Sequence, residues 1–91
     1  MTYARHIALQ SPPTDPSRLE SFVEACLTDG VELIAIGGDG SRELEDQIDW
    51  ILVGDGSDPS RFIVTTAHET IEEAREFAAI GDKGKPQEIQ L

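Results

Sequence analysis

The segment Val31-Glu32-Leu33-Ile34-Ala35-Ile36 constrains this chain more than any other. It is an apolar run broken only by Glu32 and cut off sharply by Gly37-Gly38-Asp39-Gly40-Ser41. A run without polar alternation is how a strand reads when both of its faces are covered, as in parallel sheets flanked by helices. The rest of the chain supplies the covering layers. Leu19, Phe22, Val23, Cys26 and Leu27 recur at the spacing of one helix face. Asp15-Pro16 before them reads as an N-cap followed by Pro at the first helical position, and Gly30 after them as a left-handed C-terminal cap. Leu44, Ile48, Ile51 and Leu52 mark a second helix closed by Gly54. A competing reading makes Trp50 to Val53 a strand, but it leaves too few residues after Ile36 for a parallel crossover, and the helix is preferred.

Tyr3 to Leu9 and Arg61 to Thr66 read as the first and third strands. Ser11 to Asp15, the Asp55–Ser60 cluster and Gly81 to Pro86 read as loops. Thr70 and Glu73 have capping-box spacing, and Ile71, Ala74, Phe77 and Ala78 form the inner face of a third helix. Gln87 to Leu91 alternates apolar with polar residues, as an edge strand would. The expectation is therefore an α/β fold, one small three-layer βαβαβαβ domain filling residues 1–91. Its four-stranded, mostly parallel sheet takes the order 2-1-3-4 by analogy with flavodoxin-like folds.

Charge and cysteine usage narrow the function classes. The 91 residues carry 18 acidic side chains against 7 Lys and Arg, a formal net charge of −11. That balance opposes nucleic acid backbones and anionic lipid surfaces, and the basic residues form no stripe. It suits a basic protein partner or a solvated surface. No run is apolar enough to span a bilayer and no secretory signal is visible, so a cytoplasmic location is expected. The single cysteine, Cys26, cannot form an internal disulfide and falls on an apolar helix face, where it reads as a small buried hydrophobe.

In open parallel sheets ligands bind beyond the C-terminal strand ends, which here are Gln10–Asp15, Gly37–Ser41 and Thr65–Thr70. Gly37, Gly38, Asp39, Gly40 and Ser41 follow a strand and precede a helix, where backbone amides and the helix dipole favour anions. The pentapeptide resembles the nucleotide-phosphate motif of NAD kinases, diacylglycerol kinases and phosphofructokinases. The resemblance covers those five residues, and Glu43, Glu45, Asp46 and Asp49 follow them in place of a lysine. The alternative is a tight turn with Asp39 or Ser41 as helix N-cap. His68, with Glu69 beside it and Thr65 and Thr66 before it, could titrate near neutral pH or cap the third helix. His6 is expected at the opposite end of the sheet. The Thr-Thr-x-His-Glu segment, with Asp49-Trp50 upstream, resembles a family of small bacterial α/β proteins classed as a domain of unknown function; that resemblance implies the fold and brings no activity.

Trp50 lies off the apolar face of the second helix, among acids, where a contact hot spot or cover for a neighbouring element are both consistent with the pattern. Asp55-Gly56-Ser57-Asp58 lacks the ligand series of a calcium loop. No Walker A motif, Gly-x-Ser-x-Gly elbow or GxGxxG is present. No catalytic residue, metal site or cofactor is assigned. The leading expectation is a non-enzymatic interaction or regulatory domain, contacting a basic protein or a second copy of itself through Trp50, Glu43 and Asp46. The second is nucleotide or phosphate binding through Gly37–Ser41 with Gln10, Ser11, Thr66 and His68 nearby. The third is an enzyme using His68 and Glu69.

Overall fold

The computed structural model describes residues 3–80 and 86–91. Strand β1 (His6–Ser11) leads through a single 3₁₀ turn (Pro16–Arg18) into helix α1 (Leu19–Asp29). Then follow β2 (Leu33–Gly38), α2 (Ser41–Val53), β3 (Val64–His68), α3 (Ile71–Ala79) and β4 (Gln87–Ile89). All strand pairs are parallel. The expected βαβαβαβ order and the helices on both faces are observed. The proposed Gly81–Pro86 loop falls, except for Pro86, outside the described residues.

The strand order is β3-β2-β1-β4, which corrects the expected 2-1-3-4. Burial explains the difference. From Ile7 to Leu9 and from Leu33 to Gly37 every residue is buried, so β1 and β2 need neighbours on both sides. The order 2-1-3-4 would have put β2 at an edge. The strands with polar content, Val64-Thr65-Thr66-Ala67-His68 and Gln87-Glu88-Ile89, take the edges instead. The helices follow from this order. The chain steps one way across the sheet through α1 and α2, then returns to the far side of β1 through α3. Keeping one crossover hand while reversing direction places the returning helix on the opposite face.

The two faces differ in kind. One packs Ile7, Leu9, Ile34 and Ile36 against Phe22, Val23 and Cys26 of α1 and Leu44 and Ile48 of α2, with Leu91 also buried there. The other presents Ala8, Leu33 and Ala35 to Ala74 and Ala78 of α3. Small residues on both sides bring α3 close to the sheet. A Cβ on Gly37 would strike the Thr70 carbonyl and lie 2.7 Å from the Ile71 Cα. That approach, rather than a turn, demands glycine at position 37.

Capping is largely as expected. Asp15 accepts from the Ser17 hydroxyl at 2.5 Å and from its amide at 3.1 Å, and these bonds hold its carboxyl below the usual range. Gly30 takes the left-handed conformation and closes α1. The Glu73 amide donates to the Thr70 hydroxyl at 3.2 Å, the Thr70 half of the capping box. Two strands start later than expected. β1 begins at His6 rather than Tyr3, whose amide is drawn away to Asp29. β3 begins at Val64 rather than Arg61, because the Arg61 guanidinium turns back to the end of α2.

Gly37→Ala tests the seat of α3. Gly to Ala at an unstrained site normally stabilises by about 0.4–1 kcal/mol. Here the struck atoms are backbone, so urea denaturation is expected to show a loss of roughly 3 kcal/mol, the upper end for overpacking. A gain in stability would contradict the packing described.

Candidate functional site

The ends of β1, β2 and β3 do converge, and their polar atoms bind one another. The Ser11 hydroxyl donates to the Asp39 carbonyl at 2.6 Å, and the Ser41 hydroxyl to the His68 carbonyl at 2.8 Å. Both serines are buried. Gly37 and Gly38 lie within β2 rather than in the loop, and a Cβ on Gly38 would strike the Ser11 carbonyl. The helix N-cap is Gly40, without a side-chain cap bond, in place of the expected Asp39 or Ser41. The Ser41 hydroxyl already serves β3, and Asp39 is exposed with its carbonyl taken by Ser11. A cavity of about 320 Å³ remains outside this turn, lined by Gly38–Glu43 and Glu69. Its side-chain charges are the carboxylates of Asp39, Glu43 and Glu69 against Arg42.

His68 is the last residue of β3. Its Nε2 lies 2.9 Å from the Thr66 hydroxyl, and its ring rests 5.1 Å from that of Phe77. Phe77 accordingly sits at the margin of the inner face of α3, more exposed than its spacing implies. Glu69 is exposed, and among the described residues no hydrogen bond joins it to His68. His6 starts β1 at the other end of the sheet, where its Nδ1 is 2.8 Å from the Ala78 carbonyl. With the observed strand order, the crevice where direction reverses lies between β1 and β4, not at the glycine turn. The chain itself fills it. Leu91 is buried, its carbonyl accepts from the backbone amides of Thr14 and Asp15, and the Gln90 side-chain Nε2 donates to the Pro12 carbonyl at 3.2 Å.

A different surface stands open, at the β3 edge and the outer side of α2. Trp50 is 75% exposed, Phe62 71%, Val53 53% and Val64 45%. They border two adjoining grooves. One, of about 500 Å³, runs between α2 and the β3 edge, from Glu45, Asp49 and Val53 to Phe62, Val64 and Thr65. The other, of about 260 Å³, is lined by Asp46, Asp49, Trp50 and Val53. Asp49 and Glu45 both turn toward the Thr65 hydroxyl, at 2.7 and 3.1 Å. Among the described residues no Lys or Arg pairs with Glu45, Asp46 or Asp49.

The arginine that lines the larger groove is committed elsewhere. Arg61 grips Glu24 of α1 with two hydrogen bonds, at 2.9 and 2.6 Å, and donates to the carbonyls of Ile51 and Leu52. It thus caps the C-terminal end of α2 and ties it to α1. The grip holds the Glu24 carboxyl below its usual range and raises the guanidinium. Trp50 and Asp46, expected as partner contacts, lie on this surface; Glu43 lines the glycine turn instead. Sequence reading left Val53, Phe62 and Val64 out of the partner contacts, giving Val53 to the end of the second helix and Phe62 and Val64 to the third strand. No sequence signal marked them, since Phe62, Ile63 and Val64 are all apolar and Ile63 alone is buried.

A model of the protein family described as Domain of unknown function (DUF7684) matches residues 3–90. The chain belongs to this family. The resemblance carried by Asp49-Trp50 and Thr65–Glu69 is borne out, and the match runs over nearly the whole DUF7684 domain rather than its C-terminal half. The comparisons with curated proteins and with solved structures gave no match. No helix among the described residues of the domain is long and apolar enough to cross a membrane.

Cys26 of the DUF7684 domain is fully buried on α1, and burial, with the Asp29 charge adding to it, pushes its thiol up to about 12. The thiolate is the reactive form, and at pH 8 almost none is present in the folded state. A disulfide reagent added at pH 8 is expected to leave the native protein unmodified and to react fully in urea. Fast native labelling would contradict the burial of α1.

Proposed function

We propose that this domain is a non-enzymatic interaction module that captures a basic protein partner on the surface formed by α2 and the β3 edge. The observation that carries the reading is the exposed group Trp50, Val53, Phe62 and Val64 bordered by the carboxylates of Glu45, Asp46 and Asp49, which no Lys or Arg among the described residues neutralises. Contiguous exposed apolar surface rimmed by charge marks interaction sites on small proteins. A tryptophan at its centre supplies the large rigid contact area from which hot spots are built. The uncompensated acids then steer a basic partner and exclude acidic ones. They also work against self-association, because a twofold dimer through this face would bring two copies of the same carboxylates together.

The paired variants Trp50→Ala and Asp46→Lys test this directly. Both positions are exposed, so the fold is expected to persist. In a pull-down from the source cells, proteins retained by the wild type should be basic, sensitive to salt, and lost in the double variant. Sedimentation should show a monomer for both. Equal retention by wild type and double variant would overturn the reading.

A further inference from the structure

The β3 edge offers backbone as well as side chains. The Val64 amide donates to the Glu32 carbonyl at 3.0 Å, and β3 pairs with β2 in parallel register from Leu33↔Val64 to Gly37↔His68. Backbone groups alternate in direction along a parallel strand. The N–H and C=O of Val64, Thr66 and His68 therefore face β2, and those of Thr65 and Ala67 face outward. Among the described residues no strand lies on that side. The larger groove runs along it.

We propose that β3 takes up an extended segment of the partner as a fifth strand, and that this segment alternates basic and apolar residues. The proposal rests on the interaction reading above and specifies the partner's form. Strand addition of this kind draws affinity from main-chain hydrogen bonds and specificity from alternate side chains. Successive side chains of an added strand point to opposite sheet faces. On the α2 face they would meet Glu45 and Asp49, which already converge on the Thr65 hydroxyl, so cations fit there. On the α3 face they would meet Val64 and, further along, Phe77, so apolar residues fit there.

The probe is a short synthetic peptide alternating Lys and Val, compared with the same peptide carrying proline at one lysine and one valine, so that a donor toward β3 is lost in either strand direction. Amide hydrogen exchange at Thr65 and Ala67 and the fluorescence of Trp50 are read at low ionic strength. The alternating peptide is expected to slow exchange at Thr65 and Ala67 by roughly tenfold or more and to shift Trp50 emission to the blue. The proline peptide should do neither. If both peptides shift Trp50 equally while Thr65 and Ala67 exchange as before, strand addition is overturned and the basic-partner reading stands. If neither peptide changes Trp50 or the amides, both are overturned.

Discussion

The backbone at Thr70 and Ile71 lies against Gly37 with no space for a side chain between them. This contact fixes how the second face of the sheet is covered. The alanine strip of Ala8, Ala35, Ala74 and Ala78 lets one nine-residue helix sit close over β1 and β2. A single helix cannot also cover β3, so Val64 and the margin of Phe77 stay in water. On the other face, α1 and α2 bury the large aliphatic residues, and α2 turns its acidic side and Trp50 outward beside the same strand. Both layers thus leave β3 as the open edge.

Edges of this kind are usually blunted, since unpaired strands invite aggregation. Charge does the blunting here. Glu45, Asp46 and Asp49 stand beside the edge, and the nearby Arg61 is engaged by Glu24 and by the carbonyls that end α2. One arginine therefore closes a helix and joins two helices, and among the described residues no Lys or Arg pairs with the neighbouring acids. The same arrangement that keeps copies of the chain apart makes the surface selective for positive charge.

The double burial of β2 was legible in the unbroken run Val31–Ile36, and the helices in their 3.6-residue spacing. The edge position of β4 was read from Gln87 and Glu88 and is observed; that of β3 was legible too, in Thr65 and Thr66, but the expected strand order followed an analogy instead of that polarity. Gly37-Gly38 was read as a turn because glycine spacing alone cannot distinguish an anion cradle from a close backbone approach. That distinction depends on Thr70 and Ser11, distant in sequence. Trp50 and Asp46 were recognisable as an off-face pair on α2. Their extension to Phe62 and Val64 was not, because it arises only when Arg61 folds back and delays the start of β3.

The most direct test of the central claim, that the α2 and β3 surface is where a partner binds, is site-specific photo-crosslinking in the source cells. A photoreactive residue is placed at Trp50 or Phe62, and for comparison at Glu72 on the exposed side of α3. The account predicts a covalent adduct with a basic protein from positions 50 and 62 and none from position 72. Adducts from position 72 alone, or none from any position, would contradict it.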